Sequence, residues 1–358
     1  MEKKKDGIHM TAKKKRRMLR FCALVTLICS MLLNGCAISL RKNEPKSFVL
    51  YDYFDTVITV TAYDTESSFE RAKEIIAAEA AEYHRLCDIY HEYDGLNNAA
   101  TLNRLAGTAP VPVDPRLAEL LEFGKEMYSA TNGCCNIMMG AVLKLWHTVR
   151  EAVELGADPE GVMPKESDLL EAARHCDIST LEISAEAGTA WIRDADASMD
   201  LGAVSKGFAA EKIAQELKSL GFSGYALNFG GNVRTVGPKP GGDPWVVGIQ
   251  SPEDESGQSY FEATEFVDAA LVTSGSYQRY FDWDGVRYHH IISPDTLYPE
   301  NEYISVSIRS ADSALADALS TAVFNMAPEE GFAFIHMTPG VEAFWILPDG
   351  SSFHSEGW

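Results

Sequence analysis

The 358-residue sequence has too few basic residues for a chain that binds nucleic acid. It holds 31 Lys and Arg against 52 Asp and Glu, a formal net charge of −21. A protein that binds a phosphate backbone needs a basic surface, so this balance argues against nucleic acid as a partner. A hydrophobic fraction of 46% and a charged fraction of 23% are typical of a folded chain. The length suffices for one large domain or two ordinary ones.

The sequence also lacks several organising patterns. Its seven cysteines include no C-x-x-C spacing, so no cysteine metal site is predicted. No repeat of fixed period is visible, and no Pro/Ser-rich linker divides residues 48–358. We therefore expect one continuous folded unit over those residues.

The apolar run at residues 21–33 is too short for a comfortable transmembrane helix, which needs about 20 residues. It follows nine basic residues and is typical of a secretory signal core. The motif Leu33-Asn34-Gly35-Cys36 resembles a bacterial lipoprotein signal, in which the cysteine is lipidated. We predict a signal peptide over residues 1–35 and a lipidated Cys36 with a tether over residues 36–47. The chain would then sit on the extracytoplasmic face of the cell membrane; an ordinary cleaved signal or an uncleaved anchor is the alternative.

Residues 48–358 show the periodicities of both strands and helices. Strands are predicted at residues 48–63 (with a kink at Phe54-Asp55), 181–199, 224–235, 245–250, 261–272, 286–292, 303–309 and 344–347. Helices are predicted at residues 65–90, 115–131, 140–157, 202–220 and 311–326. A strand-rich second half with interspersed helices predicts a mixed α+β fold of two closely joined lobes.

Two segments carry residues suited to phosphate and metal chemistry. Asp200-Leu-Gly-Ala203-Val-Ser-Lys206-Gly207 joins a strand to a helix, where free N–H groups and a lysine favour phosphate; a plain junction with a solvated lysine is the alternative. Asp317 and Thr321 are four residues apart on a predicted helix, so both side chains share one face. Their oxygens suit Mg²⁺, although a surface aspartate and a threonine bonded to its own backbone would give the same pattern.

Three further segments contain turn and acid–base candidates. Asn228-Phe-Gly-Gly-Asn232 predicts a tight turn with free backbone donors. Thr273-Ser-Gly-Ser-Tyr277 precedes Tyr288-His-His290-Ile-Ile292-Ser-Pro294. His289 and His290 are candidates for proton transfer, although a histidine pair in a strand is more often structural.

The order and spacing of these motifs are similar to those of the ApbE family, whose members are FAD:protein FMN transferases and often exported lipoproteins. The resemblance covers residue 48 to the C-terminus. It implies an ApbE-like fold with mostly antiparallel sheets and packed helices. It also implies that a Ser or Thr hydroxyl of a partner flavoprotein attacks the FMN phosphorus of FAD and that AMP leaves.

The resemblance also implies site residues. Mg²⁺ would be held by the Ala203 carbonyl, Asp317 and Thr321, and Lys206 would hold the diphosphate. His290 is our candidate for the base that takes the acceptor's proton. FAD contacts are implied at Phe54, Tyr90, Ile137, Met138, Met139, Asp200, Lys206 and Ile292.

Some positions depart from the family pattern. Cys134-Cys135-Asn136 follows Gly133 where Phe-Asp is common, and Phe54-Asp55 precedes Thr56 where Met-Gly is common. Ser293 and Leu297 replace an aspartate and a glycine. Two alternatives therefore stay open beside the transferase: a Mg²⁺-dependent FAD pyrophosphatase that yields FMN and AMP, and a lipoprotein that binds FAD without turnover.

Overall fold

The computed structural model describes residues 44–254 and 259–358. The predicted signal peptide and Cys36 lie outside the described residues and stay predictions. Strand pairing begins at Lys46, slightly before the predicted start of the folded unit at residue 48.

The strands follow one another in the order in which they are numbered. They are β1 (Lys46–Tyr53), β2 (Thr56–Ala62), β3 (Val111–Pro112), β4 (Leu181–Ser184), β5 (Thr189–Ile192), β6 (Tyr225–Phe229), β7 (Asn232–Val236), β8 (Trp245–Gln250), β9 (Tyr260–Phe266), β10 (Ala270–Gly275), β11 (Tyr280–Trp283), β12 (Val286–His289), β13 (Ser305–Ser310), β14 (Val341–Ile346) and β15 (Ser352–His354). Eight of them form an antiparallel sheet in the order β1-β2-β6-β7-β10-β13-β14-β15. A small sheet has the order β3-β5-β4, and β8–β9 and β11–β12 are separate hairpins.

The helices lie between these strands, and five of the nine described begin at a residue whose side chain accepts a main-chain N–H of the first turn. They are α1 (Glu66–Cys87), α2 (Ala99–Arg104), α3 (Pro115–Ala130), α4 (Gly140–Glu154), α5 (Pro159–Val162), α6 (Glu166–Ala173), α7 (Ser205–Ser219), α8 (Ser313–Phe324) and α9 (Pro328–His336). Asp114 accepts from Arg116 N before α3, and Pro115 occupies the first helical position. Asp312 accepts from Ala314 N at 2.7 Å and from Leu315 N at 3.0 Å, which fixes the start of α8.

Both faces of the large sheet are covered. Side chains alternate along β10, so Val272 belongs to the main core under α7 and α8, while Leu271 packs with the β8–β9 hairpin on the other face. The helices α1, α7 and α8 cover the first face. The result is a layered arrangement of hairpin, sheet and helices, in which loops at one end of the sheet can meet the start of α7 and the side of α8.

Two tight turns bring residues to that end of the sheet. Phe54 and Asp55 both have positive φ (53° and 50°) and connect β1 to β2 as a two-residue hairpin, so the predicted kink is a full chain reversal. Gly230 and Gly231 connect β6 to β7 in the same way, as the sequence predicts. A Cβ on Gly230 would lie 1.9 Å from Thr56 Oγ1, so only glycine lets these two turns touch.

The mixed α+β fold with antiparallel sheets is confirmed, and three local predictions are corrected. Residues 261–272 span two strands in different sheets, because Asp268 at positive φ turns the chain between them. The predicted helices do not include α2, which is capped by Asn98. The helix predicted from residue 202 begins at Ser205, after a turn.

Candidate active site

A cleft of about 1660 Å³ opens at the end of the sheet where these segments meet. It is lined by most of the predicted site residues, which come from distant parts of the chain: Phe54, Tyr90, Met139, Asp200, Ala203, Lys206, His290, Ile292, Asp317 and Thr321. Ile137 and Met138 are fully buried behind it, and their side chains do not line the cleft. The Ile137 carbonyl nonetheless accepts from Asp200 N at 2.8 Å, which ties the two segments together.

Asp317 lies on α8 at the floor of the cleft and is 3% exposed. Its Oδ2 accepts from Gly207 N, on α7, at 2.7 Å. Burial raises the pKa of Asp317, although the charge of Lys206, the Gly207 N–H and the Asn232 side chain all favour the carboxylate. A bound cation would stabilise the ionised form of this buried carboxyl group.

The start of α7 leaves the Ala203 carbonyl free. Gly207 is the third residue of α7, so its N–H belongs to the first turn, where main-chain N–H groups have no partner within the helix. This N–H donates to Asp317, and no hydrogen-bond donor among the described residues reaches the Ala203 carbonyl, which precedes the N-cap Val204. That oxygen lies at the cleft with its lone pairs available.

Thr321 is one turn after Asp317 on α8 and also lines the cleft. Threonines in helices often donate to the carbonyl four residues back, as Thr338 does to Phe334 O at 2.7 Å. Thr321 Oγ1 makes no such bond to any residue in the described part of the chain. Its hydroxyl oxygen therefore faces the cleft without a protein partner.

These three oxygens fit a hard divalent cation. Mg²⁺ binds carbonyl, carboxylate and hydroxyl oxygens together with water and substrate phosphates. Among the described residues, the one protein donor to these three oxygens is the Gly207 N–H, which bonds Asp317. A different group, His175, Asp194 and Asp196, also has its ligand atoms within 4.8 Å of one another. It lies outside the cleft lining, and Asp194 there already accepts from His175 Nδ1 at 2.7 Å.

The segment from Asp200 to Lys206 forms a tight turn before α7. Asp200 Oδ1 accepts from Gly202 N at 2.8 Å, and Lys206 Nζ donates to the Gly202 carbonyl at 3.1 Å. Burial raises the pKa of Asp200, against the opposing effects of the Gly202 N–H and Lys206. The Lys206 ammonium thus lies over the start of α7, where the helix dipole adds further positive potential.

His290 follows β12 and reaches the cleft beside three cations. Burial is the largest cause that lowers its pKa to about 3, and the nearby cations Arg279, Lys206 and Arg150 together with the neighbouring His289 add to it. Its Nδ1 is buried and has no hydrogen-bond partner among the described residues. His290 is therefore neutral at pH 7, with a ring nitrogen left open. His289 is structural instead: its Nε2 bonds the Glu300 carbonyl at 2.8 Å.

Sequence reasoning missed two arginines that line the cleft. Arg279 follows the Thr273–Tyr277 motif and pairs with Asp55 on the β1–β2 turn, with Nη2 2.8 Å from Oδ2. Arg150 lies on α4, with Nη2 3.0 Å from His147 Nδ1. Both occur in segments with ordinary helix or turn patterns, so only the fold reveals that they face the same space as Lys206. Although the chain has a net charge of −21, this cluster of cations gives the cleft a local positive potential that favours an anion.

The departures noted in the sequence have local explanations. Asn136 Nδ2 donates to the Cys176 carbonyl and Asn136 Oδ1 accepts from Met138 N, both at 2.9 Å. Ser293 Oγ accepts from Asp295 N and Thr296 N at 3.3 Å, so a hydroxyl supports this turn. Leu297 has φ of 62°, the conformation that suits the glycine usual in the family.

Comparisons with known proteins agree with this geometry. The model of the ApbE family matches residues 54–345. An FAD:protein FMN transferase of Treponema pallidum is 38% identical over 264 residues, 70% of each chain. One from Klebsiella pneumoniae is 29% identical over 252 residues, covering 68% of this chain and 73% of the relative.

Solved structures show the same fold. The ApbE protein of Thermotoga maritima is 26% identical and covers 87% of this chain and 98% of its own, with a TM-score of 0.75. The flavin transferase ApbE of Vibrio cholerae is 23% identical at the same coverage, with a TM-score of 0.72. Among the described residues, no helix is both long and apolar enough to span a membrane.

The fold and the cleft together define an enzyme of the transferase class. The chain belongs to the ApbE family, because the family model matches most of its length.

Proposed function

We propose that this chain is a Mg²⁺-dependent FAD:protein FMN transferase. It would attach FMN through a phosphoester to a Thr or Ser of a partner flavoprotein and release AMP. The observation that carries the proposal is that the free Ala203 carbonyl lines the same cleft as Asp317 and Thr321, with Asp317 tied to the start of α7 by the bond from Gly207 N. These three oxygens would hold the metal, which when bound would neutralise charge on the diphosphate of FAD.

The cations of the cleft would bind and orient the substrate. Lys206 and the start of α7 would hold diphosphate oxygens, and Arg150 and Arg279 would add positive charge around them. The rings of Phe54 and Tyr90, together with Ile292 and the backbone of residues 137–139, would contact the rest of FAD. Tyr90 is 65% exposed, so its ring is available to a planar ligand.

The acceptor hydroxyl must lose a proton as its oxygen bonds to the FMN phosphorus and the bond to AMP breaks. His290 would take this proton, because it is neutral and its Nδ1 has no partner among the described residues. The negative diphosphate would offset the nearby cations that lower the pKa of His290. Binding of FAD would therefore make this imidazole a stronger base at the moment it is needed.

We also propose that the chain acts on the extracytoplasmic face of a bacterial membrane, anchored by a lipid on Cys36. The support is the basic and apolar pattern of residues 1–35 followed by Leu33-Asn34-Gly35-Cys36. Labelling cells with a radioactive fatty acid tests this. Label on the wild-type protein that is lost in Cys36→Ser is expected, and equal label on both would contradict the anchor.

The activity is tested by incubating the purified full chain with FAD, Mg²⁺ and an acceptor domain that carries an exposed Thr. Intact mass and AMP release are measured with and without EDTA. A mass gain equal to FMN on the acceptor, with equimolar AMP and loss of both in EDTA, is expected. AMP without acceptor labelling would favour the pyrophosphatase, and bound FAD without either product would favour a binding protein.

A further inference from the structure

A buried ion pair lies behind the proposed metal site. Arg234 Nε is 2.7 Å from Glu211 Oε2, and Arg234 Nη2 is 3.3 Å from Glu211 Oε1. The two residues are 2% and 5% exposed. Such a pair contributes little net stability, because removing both charges from water offsets most of their attraction. The importance of this pair therefore depends on the other contacts of Glu211.

Glu211 also holds the first residue of α8. Its Oε2 accepts from Ser313 N at 2.9 Å. Gly207 and Glu211 are one turn apart on α7, and Ser313 and Asp317 are one turn apart on α8. Each helix thus donates one main-chain N–H to a carboxylate of the other, and the two bonds set how far the antiparallel helices slide along one another.

The close approach of the helices makes this arrangement sensitive to small shifts. A Cβ on Gly207 would lie 2.3 Å from both Asp317 Cβ and the Ser313 carbonyl. Any displacement of α8 along α7 would therefore separate Gly207 N from Asp317. Asp317 would then lose this hydrogen bond and move relative to the Ala203 carbonyl, which would misplace the two proposed metal ligands against each other.

Arg234 extends the link to the sheet. It lies on β7 two residues after Asn232, so both side chains face α7 and α8. Asn232 lines the cleft together with Asp317, and its buried Nδ2 has no hydrogen-bond partner among the described residues. Arg234 Nη1 also lies 3.3 Å from Asp268 Oδ1, which holds Arg234 from its other side.

We propose that Glu211 and Arg234 are positioning residues for the metal ligands. Through Ser313 they hold α8 at the position on α7 where Asp317 takes the Gly207 N–H and lies beside the Ala203 carbonyl. This rests on the proposed metal site, and it assigns a role to a pair that touches neither metal nor FAD.

The test separates positioning from stability with a double variant, Glu211→Leu with Arg234→Met. Removing one partner alone would leave a buried charge and threaten folding, whereas replacing both with apolar residues of similar size keeps the core filled. Ser313→Pro is the second variant. It removes the N–H donor at the first position of α8, where proline is compatible with the helix and the preceding Asp312 is already extended. Glu119→Gln, which breaks the exposed Lys212–Glu119 pair on the outer side of α7, is the matched control.

Mn²⁺ binding is measured by electron paramagnetic resonance with FAD present, together with Tm. We expect the double variant to keep Tm within a few degrees of wild type while its Mn²⁺ dissociation constant rises about tenfold. Ser313→Pro should show the same loss of affinity, and Glu119→Gln should bind as wild type. Raising the metal concentration should restore most FMN transfer to both variants.

Wild-type Mn²⁺ affinity in a folded double variant or in Ser313→Pro would overturn the proposal. If the double variant does not fold, Ser313→Pro alone decides. A wild-type chain that binds metal but transfers no FMN would refute the proposed function, while the positioning role would still be judged by metal affinity.

Discussion

Asp317 is the single side chain on which the proposed metal site depends most. Its burial raises its pKa, so the fold without a bound cation disfavours the ionised carboxylate. We predict that Asp317→Asn abolishes Mg²⁺-dependent turnover, at least 100-fold, while Tm stays the same or rises. Turnover near the wild-type rate would contradict the assignment of Asp317 as a ligand, and the circular dichroism spectrum checks the fold.

Lys206 is predicted to bind the diphosphate rather than to support the fold. Within the described part of the chain, its ammonium makes one hydrogen bond, to the Gly202 carbonyl at 3.1 Å. Because a hydrogen bond to a charged group contributes about 1.5–3 kcal/mol, Lys206→Ala should weaken FAD binding roughly 10- to 100-fold. Flavin fluorescence titration measures this, with Lys218→Ala on the same helix but outside the cleft lining as the control. Equal FAD affinity in wild type and Lys206→Ala would mean that the diphosphate lies elsewhere.

His290 gives a prediction about pH. A base works in its neutral form, which is present above its pKa and lost as pH falls through it. With the pKa lowered to about 3 in the free enzyme, kcat/KM for FAD should show no loss attributable to this residue between pH 8 and pH 5. His290→Ala should reduce kcat about 100-fold with little change in FAD affinity. A fall in kcat/KM for FAD as pH drops through about 6.5, absent from His290→Ala, would show instead that His290 is an ordinary, exposed imidazole.

The site residues that sequence could predict are those with local signatures. Lys206 lies at a strand–helix junction with glycines, and Asp317 and Thr321 share a helix face. Arg150 and Arg279 carry no such signature, because α4 and the segment after β10 approach the cleft only when the sheet has formed. The same holds for the position of Asp317 beside the Ala203 carbonyl, which depends on a contact between residues 207 and 317.

At the scale of elements, the packing of α7 against α8 is the decisive feature, and Gly207 permits it. Gly207→Ala would place a Cβ 2.3 Å from Asp317 Cβ, so the helices must separate. We predict a loss of about 1–3 kcal/mol in unfolding free energy, measured with urea, and loss of metal-dependent turnover. Gly161→Ala on α5 is the control, since its Cβ would meet nothing within 4 Å and its stability should change by less than about 0.5 kcal/mol. Equal stability in the two variants would contradict this account of the helix contact.

Most elements were predictable from periodicity and caps, and the exceptions have physical causes. The helix from Glu66 and the helix from Pro115 have apolar residues at helical spacing and begin at Thr65 and Asp114. Residues 261–272 contain no glycine or proline to mark a turn, so the turn at Asp268 is not predictable without knowledge of the two sheets that it joins. The pairing of β1 with β2 likewise depends on two non-glycine residues at positive φ, which sequence reasoning does not expect.

At the scale of the whole molecule, the sheet brings Arg150, Lys206 and Arg279 to one cleft of an acidic protein, where we propose that they bind an anion. The ligands of the proposed metal come from the start of α7 and the side of α8, more than a hundred residues apart in the chain, and the cations come from α4, α7 and the segment before β11. Closely packed helices hold the oxygens, while the turns at Phe54-Asp55 and Gly230-Gly231 form part of the rim. The proposed metal ligands thus lie at the floor of the cleft, and the proposed substrate contacts lie at its opening.

The most direct test of this account is the position of the metal. A crystal of the chain grown with FAD and Mn²⁺ in place of Mg²⁺ would locate the ion by anomalous scattering. We predict an ion bound at once to the Ala203 carbonyl, an Asp317 oxygen and Thr321 Oγ1, at distances near the 2.0–2.1 Å typical of Mg²⁺. An ion bound instead at His175, Asp194 and Asp196, with the cleft oxygens free, would contradict it.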